Sequence, residues 1–173
     1  MISAFSVRRA TLSDLSAIVE LRLSLLREYR DHPLYGNLRP DAQPRAEELF
    51  RAQLLSPNEA MFVAQADGRL IGVLRCADTP VSPLLFPERF CYVSSVFVRP
   101  DDRRKGVLRG LLNAAERWCA ERGIDEMRLN NAIDSVAAHA WQSLGFDVVE
   151  QVRRRAVSPA VTSAATAAQA ELR

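Results

Sequence analysis

The run Arg103-Arg104-Lys105-Gly106 places three cations and a glycine immediately before a stretch with helical periodicity. The first backbone N–H groups of a helix have no intrahelical partner, and the helix dipole adds partial positive charge at the same end. A glycine lets an anion approach the backbone closely. The pattern is typical of a phosphate-binding turn, although a solvated basic turn would give the same four residues.

The segments on either side of this run favour the phosphate-binding interpretation. Tyr92–Val98 is β-branched and aromatic, which predicts a strand, and Pro100 ends it because proline cannot donate to a ladder. After the turn, apolar residues recur with the spacing of one helix face, and Gly123 is a typical C-terminal cap. These apolar positions are Val107, Leu108, Leu111, Leu112, Ala115, Trp118 and Cys119.

The remaining pattern predicts a mixed α/β domain over residues 1–157 and a flexible or weakly helical tail over residues 158–173. Thr11 is the expected N-cap of the first helix, with Asp14 at the capping-box position, and Asp67-Gly68 predicts a hairpin turn. The predicted strands, besides Tyr92–Val98, are Phe5–Arg8, Ala60–Gln65, Arg69–Cys76, Glu126–Asn130 and Phe146–Val152. The other predicted helices run from Thr11 towards Arg30, over Arg45–Leu55 and over Ser135–Leu144, and the long loops are Asp31–Pro44 and Asp78–Arg89.

Composition excludes several classes of protein. A chain of 173 residues with 48% hydrophobic residues can bury a core, and a net charge of +2 does not suggest a dedicated nucleic-acid binder. Three cysteines without CxxC spacing argue against a disulfide framework or a zinc site, so we expect a reducing cytoplasm and no metal. The first ten residues lack the apolar run of a signal peptide, and no apolar run reaches membrane length.

Two blocks of the sequence resemble the GCN5-related N-acetyltransferase (GNAT) family. The family's acetyl-CoA motif, Gln/Arg-x-x-Gly-x-Gly/Ala after a strand ending Val-x-Pro, is similar to Val98-Arg99-Pro100 followed by Arg103-Arg104-Lys105-Gly106-Val107-Leu108. Leu108 departs from the pattern, which has a small residue there. The block Ala137–Phe146 resembles the family's A-x-x-x-Tyr-x-x-x-Gly-Phe helix, with Trp141 in place of the tyrosine. The resemblance extends from Phe5 to Arg155.

The resemblance implies a fold and a co-substrate. The fold would be a single-domain, mainly antiparallel twisted sheet with helices on both faces, in which strands four and five splay apart. Acetyl-CoA would place its pantetheine arm in that gap and its diphosphate on the main-chain amides that follow Arg103. The residues expected at the cofactor are Val96, Phe97, Val98, Arg103, Arg104, Lys105, Gly106, Val107, Leu108, Arg109, Asp134 and Trp141.

Candidate catalytic residues lie on the fourth strand. Strand alternation puts Tyr92 and Ser94 on one face with Val96 and Val98. Neither Tyr92 nor Ser94 is a carboxylate, so they would order a water that accepts the proton, or Tyr92 would donate to the departing thiolate. Trp141 replaces the family's usual acid, and because an indole N–H is not a useful acid, we expect it to pack against the cofactor or the core.

Other polar residues have a structural and a functional interpretation. His139 is expected at the surface, on a different helix face from Trp141. His32 lies in a loop that would contact the acceptor, and Asp134 would cap the late helix, approach the pantetheine, or both. Arg153–Arg155 would be a solvated strand edge, with nucleic-acid binding as a minor alternative.

The sequence as a whole predicts direct transfer of an acetyl group from acetyl-CoA to a primary amine, most simply of a small molecule. The acceptor would bind between Leu26–Pro44, the Asp78–Arg89 loop and the Tyr92/Ser94 face. Two alternatives remain open at this point: a non-catalytic acyl-CoA sensor, and acetylation of a protein N-terminus or an aminoacyl-tRNA. No membrane partner is expected, and a homodimer remains open.

Overall fold

A five-stranded mixed sheet forms the centre of the protein in the computed structural model, which describes residues 5–132 and 136–156. The strands lie side by side in chain order, and every neighbouring pair is antiparallel except the last, β4–β5, which is parallel. Their bounds are β1 Ser6–Arg9, β2 Glu59–Ala66, β3 Arg69–Pro80, β4 Arg89–Val98 and β5 Met127–Arg128. The predicted mixed, mainly antiparallel sheet is therefore confirmed.

Helices cover both faces of this sheet, as predicted. The helices are α1 Leu15–Glu28, α2 Ala42–Leu55, α3 Val107–Arg122 and α4 Val136–Ser143. On β3, Gly72 lies beneath α3, because a Cβ added there would be 3.2 Å from side-chain atoms of Val107 and Leu111. The next residue, Val73, faces the other way and belongs to the core formed with α1 and α2. Successive side chains of β3 therefore point to opposite faces of the sheet, as strand geometry requires, and each face is covered by helices.

The described residues divide into two compact units, one ending at Ala138 and one beginning at His139. The first unit contains the whole sheet and α1 to α3. In the second, the rings of Trp141 and Phe146 meet edge to face at 5.4 Å. Within the described part of the chain, no helix is both long and apolar enough to cross a membrane.

The start of α1 is fixed by the capping arrangement predicted from Thr11 and Asp14. A 3-10 turn, Leu12–Asp14, precedes the helix, and the Asp14 carboxylate accepts the Thr11 N–H at 2.8 Å. The same carboxylate accepts a hydrogen bond from each terminal nitrogen of Arg8 on β1, with both N–O distances at 2.8 Å. The pair therefore ties the first strand to the first helix, and the Asp14 side chain is only 8% exposed.

Several element boundaries differ from the sequence-based prediction. Helix α2 begins at Ala42 rather than Arg45, since Pro44 in a first helical turn loses no hydrogen bond. The β3–β4 ladder continues to the pair Pro80–Arg89, which shortens the predicted Asp78–Arg89 connection to residues 81–88. Proline is tolerated there because it stands at the end of its strand.

The predicted sixth strand, Phe146–Val152, is wrong. Residues 146–156 contain no strand, and Val148, Val149 and Val152 are 86%, 85% and 65% exposed. Valines have strand propensity, but a strand also needs a paired neighbour, and β5 contributes only two residues to the sheet. Residues 157–173 lie outside the described part of the chain, so the domain boundary at 157 stays a prediction.

The Arg8–Asp14 pair predicts a measurable pH dependence of stability. Hydrogen bonds from Arg8 lower the pKa of Asp14 to about 2. Burial of the carboxyl acts in the opposite direction, and the hydrogen bond from the Thr11 N–H lowers the pKa further. A carboxyl with a depressed pKa stabilises the fold above its unfolded value near 4 and loses that contribution as pH falls towards 2. We expect Asp14→Asn to lower the free energy of unfolding by about 1–2 kcal/mol at pH 7, because solvent at Arg8 screens part of the pair.

Urea unfolding at pH 7, 4 and 2 measures this difference. The gap between wild type and Asp14→Asn should close between pH 4 and pH 2. Asp41→Asn, which removes a solvent-exposed carboxylate paired with Arg39 and Arg45, is the matched control and should change stability little. An Asp14→Asn deficit that persisted at pH 2 would contradict the assignment.

Candidate active site

Strands β4 and β5 pair over only two positions and then separate. The pairs are Cys91–Met127 and Tyr92–Arg128. The following six residues of β4, Val93–Val98, have no partner on β5 within the described residues. The two strands therefore separate along this length, and a gap opens beside β4. This confirms the predicted splay of strands four and five.

A β-bulge in β4 changes which side chains face the two sides of the sheet. Arg75 pairs with Ser94 and Val73 with Phe97, so β4 has one residue more than β3 between these pairs. Ser95, within the bulge, has a φ of 52°, a left-handed conformation uncommon outside glycine.

The bulge makes one sequence-based prediction wrong. Tyr92 and Ser94 face the α1 side of the sheet. Beyond the bulge, the next side chain on this face is that of Phe97, which belongs to the core formed with α1. Val98 pairs with Gly72, whose missing side chain would point at α3. Counting every second residue fails across a bulge, so Val96 and Val98 do not share the face of Tyr92 and Ser94.

The turn between β4 and α3 leaves the first amides of the helix without acceptors. Within the described residues, no acceptor is found for the N–H groups of Val107, Leu108 and Arg109, and the first helical bond runs from Gly110 N–H to Gly106 O at 3.0 Å. Gly106 has a φ of 84°, and a Cβ added there would meet no atom within 4 Å. Free donors, a helix dipole and open space are what an anion requires at this position.

Lys105 and Arg103 are both held by carboxylates. The Lys105 ammonium lies 3.2 Å from Asp102, a buried carboxylate that also pairs with Arg69. Arg103 donates two hydrogen bonds to Glu28 on α1, at 2.6 and 2.8 Å, and its Nε donates to the carbonyl oxygen of Val98. These contacts tie the turn to α1 and to β4.

Arg104 differs from its two neighbours in the basic run. Its φ of 60° places it in the left-handed region, its side chain is exposed, and among the described residues it has no ion pair or hydrogen bond. The guanidinium of Arg104 is therefore the cation of this run that is available to an anion at the start of α3.

On the α1 side of β4, Ser94 is held by a charged pair. Arg75 on β3 donates from Nη1 to Ser94 Oγ at 2.9 Å and from Nε to Glu59 at 2.6 Å. The Arg75 and Glu59 side chains are only 14% and 19% exposed. Sequence reasoning missed Glu59 and Arg75, although an arginine between apolar residues on a strand was a usable signal.

An aromatic cluster follows α1, within the loop expected to contact the acceptor. The rings of His32 and Tyr35 stack at 4.6 Å, and Tyr29 meets both edge-on near 6 Å. The His32 Nδ1 accepts the Leu34 N–H at 3.2 Å, which places the proton of the neutral ring on Nε2. Gly36 closes the loop tightly, since an added Cβ would lie 2.0 Å from the Arg30 carbonyl oxygen.

The remaining candidates take up different positions. Trp141 is buried and packs on Phe146, whereas His139 is exposed, as expected for a surface histidine. Arg153–Arg155 are exposed but do not border a strand, so the predicted strand edge is absent from this segment. Asp134 lies outside the described residues.

The cysteines do not offer a nucleophile. Cys76, Cys91 and Cys119 are buried free thiols. The contact with Cys91, together with burial, raises the pKa of Cys119 far above that of an exposed thiol. A thiol held in this form is inert. The site therefore has no candidate for a covalent acyl-cysteine route, and the cytoplasmic location inferred from cysteine usage stays a prediction.

Comparison with known proteins identifies the family. The model of the GNAT acetyltransferase family matches residues 21–146. The chain belongs to this family. An aminoglycoside N(6′)-acetyltransferase type 1 from Stenotrophomonas maltophilia is 31% identical over 159 residues, which are 87% of this chain and 91% of the relative. A Salmonella typhimurium protein of the same name is 32% identical over 117 residues, 61% of this chain and 72% of its own length.

Solved structures show the same fold. A predicted acetyltransferase from Clostridium acetobutylicum with acetyl-CoA has a TM-score of 0.74 at 18% identity and covers 88% of this chain and 96% of its own. An aminoglycoside acetyltransferase, AAC(6′)-Iy, in complex with a CoA bisubstrate analogue, has a TM-score of 0.71 at 24% identity, with coverages of 90% and 99%.

The GNAT protein described here is an acetyl-CoA-dependent N-acetyltransferase that acts on an amine. Membership in a family of enzymes favours transfer over the alternative of a non-catalytic acyl-CoA sensor.

Proposed function

We propose that this GNAT enzyme binds the diphosphate of acetyl-CoA at the first turn of α3 and the pantetheine arm between β4 and β5. The acetyl group then passes directly to a primary amine of a small molecule. The observation that carries the proposal is that β4 loses its partner β5 on the approach to a helix start where three N–H groups find no acceptor among the described residues. A single extended ligand with a charged end can use both features.

The residues at the helix start fit a diphosphate. The N–H groups of Val107, Leu108 and Arg109 supply donors, and Gly106 leaves room. Arg104 supplies a positive charge that no described residue pairs with. Hydrogen bonds to a charged group contribute about 1.5–3 kcal/mol each. The side chains of Lys105 and Arg103 already have carboxylate partners, so we assign them to holding the turn in place.

The strand residues fit an extended amide-containing arm. Val96 has no register partner on β3, because it lies in the bulge, and none on β5, because the strands have separated. Its main chain is therefore the part of β4 best placed to pair with the arm as an added strand would. Phe97 and Val98 follow Val96 on the strand and have register partners on β3. Asp134 and Trp141 are kept among the proposed cofactor-binding residues because of the family motif alone.

The reaction needs a proton to leave the amine and a proton to reach the sulfur. Acetyl-CoA supplies the acetyl group as a thioester; the neutral amine bonds to the carbonyl carbon and the C–S bond breaks. Tyr92, at the last β4–β5 pair, is proposed to donate its hydroxyl proton to the departing thiolate. Because Ser94 Oγ already accepts from Arg75, its own hydroxyl hydrogen is free to orient a water that takes the amine proton.

An aminoglycoside 6′-amine is the first acceptor to assay. The relatives described above carry that acceptor in their names, and the identity to the Stenotrophomonas maltophilia protein extends over most of both chains. Positioning a neutral amine beside the thioester supplies much of the acceleration in such a transfer. The assay is release of the CoA thiol together with the mass of the product.

A homodimer is also proposed. The support is the exposed segment with Val148, Val149 and Val152, a sequence with strand propensity that has no partner strand among the described residues. Such segments pair readily with a second chain. Light scattering at micromolar concentration should give twice the 19.3 kDa chain mass, and Val149→Lys should give the monomer. A wild-type monomer at every concentration would rule out the dimer.

Arg104 and Arg103 should respond differently to substitution. Arg104→Ala removes an unpaired cation from the diphosphate site, so we expect the Kd for acetyl-CoA to rise about tenfold, with unchanged thermal stability. Arg103→Ala removes the ties to Glu28 and Val98, so its main effect should be a lower melting temperature.

Isothermal titration with acetyl-CoA and thermal melts provide the two readouts for these variants. Arg117→Ala, an exposed arginine ten residues along α3, is the matched control and should bind like wild type. Equal affinity of Arg104→Ala and Arg117→Ala would place the diphosphate elsewhere.

The two proposed catalytic hydroxyls can be separated by single substitutions. Tyr92→Phe should lower kcat by about 100-fold, the lower end of typical proton-transfer contributions, while the Kd for acetyl-CoA stays the same. Ser94→Ala should lower kcat less, because water can be oriented by other groups, and it also frees one donor of Arg75. Steady-state kinetics with one amine acceptor measure both. An unchanged kcat in both variants would contradict the catalytic roles assigned to the two hydroxyl groups.

A further inference from the structure

Arg22 is a charged residue on the buried side of α1. Ile18, one turn before it, is fully buried, and Leu26, one turn after it, packs against the core that α1 forms with the sheet. Residues four apart lie on the same helix face, so the Arg22 side chain leaves the helix towards the sheet and is itself only partly exposed. An arginine at such a position is unusual unless it has a partner.

The neighbours of Arg22 place it on the Tyr92 side of β4. Burial lowers the pKa of its guanidinium, the hydroxyl groups of Tyr35 and Tyr92 oppose this effect, and the positive charge of Arg75 adds to it. Tyr92 and Arg75 lie on the same face of the sheet, and Tyr35 comes from the aromatic cluster after α1. Arg22 therefore lies where the loop, α1 and β4 meet, on the face proposed for the acceptor.

Arg22 has no charge partner within the described residues. No ion pair or hydrogen bond joins its side chain to any of them. By contrast, nearby arginines on the sheet and the following turn are matched: Arg75 with Glu59, Arg99 with Glu20, and Arg103 with Glu28. On the acceptor face, Arg22 is therefore left as a cation that no carboxylate of the described residues pairs with. A partly buried cation without a counter-ion is costly, and such groups persist at functional sites.

The diphosphate of acetyl-CoA is not the natural partner of this cation. Its proposed site follows the end of β4, and Tyr92 lies six residues before Val98. At 3.3 Å per strand residue this is roughly 20 Å. The anion that Arg22 lacks must therefore come from the other substrate.

We propose that Arg22 binds an anionic group of the acceptor, so that the molecule acetylated by this enzyme carries a carboxylate or a phosphate as well as its primary amine. The inference rests on the proposed function and specifies its acceptor. Arginine forms two parallel hydrogen bonds with either anion. The same charge repels an acceptor that carries only amines, so a polycationic aminoglycoside would be a poor substrate of this chain.

Matched acceptors that differ only in the anion test this proposal. The pairs are L-ornithine with putrescine, L-tyrosine with tyramine, and O-phosphoethanolamine with ethanolamine, and kanamycin supplies the polycation. Thiol release gives kcat/KM and product mass confirms transfer. We expect the anionic member of at least one pair to exceed its partner and kanamycin by about 30-fold. The carboxylate and phosphate pairs show which anion is used.

Variants at Arg22 separate anion recognition from a structural role. Arg22→Gln should remove the preference for the anionic member, whereas Arg22→Lys, which keeps the charge, should retain part of it. Arg27→Gln, at an exposed arginine on the same helix, is the matched control and should behave like wild type. A preference for kanamycin or for the anion-free members, unchanged in Arg22→Gln, would overturn the proposal.

Calorimetric titration of the anionic compounds into the CoA complex tests binding without turnover. Binding that is lost in Arg22→Gln supports the inference even if no amine in the panel is acetylated, an outcome that would count against the proposed function alone. Equal binding of both members of every pair, or no binding of any anionic member, overturns the inference about Arg22 while leaving acetyl-CoA binding intact.

Discussion

The short ladder between β4 and β5 is the constraint on which the proposed site depends. Two paired positions hold the strands together, and from Val93 to Val98 the edge of β4 away from β3 has no partner strand among the described residues. Because main-chain groups that lack a partner need one from elsewhere, the gap is a place for an extended ligand with amide groups. The bulge at Ser95 strengthens this effect by taking Val96 out of register with β3 as well. The strand that borders the gap and the helix with the open start follow each other directly in the chain.

Charge pairing distinguishes structural cations from functional ones in this protein. Most of the arginines around the site hold a carboxylate from another element, as Arg103 holds Glu28 and Arg75 holds Glu59. These pairs connect α1, the sheet and the turn before α3. Arg104 and Arg22 have no such partner among the described residues. One is exposed at the proposed diphosphate site and the other is partly buried at the proposed acceptor face, so the two substrates are expected to meet positive charge at opposite ends of β4.

The sequence predicted the elements whose signals are local. The strand, basic turn and helix from Tyr92 to Gly123, the Thr11–Asp14 cap and the splayed fourth and fifth strands all agree with the structure. Features set by pairing between distant segments were missed. The bulge at Ser95 depends on the register with β3 and has no local signature, and Phe146–Val152 has strand propensity but no neighbour. Arg22 and Arg75 interrupt apolar patterns, and this interruption was the one available sign of their position on the proposed acceptor face.

Hydrogen exchange at the start of α3 tests the central claim most directly. The amides of Val107, Leu108 and Arg109 have no acceptor among the described residues, so they should exchange rapidly in the free protein. NMR-detected exchange with and without saturating acetyl-CoA should show all three slowing when the ligand binds, because the diphosphate oxygens become their acceptors. Saturable binding that leaves the exchange of these three amides unchanged would contradict the account.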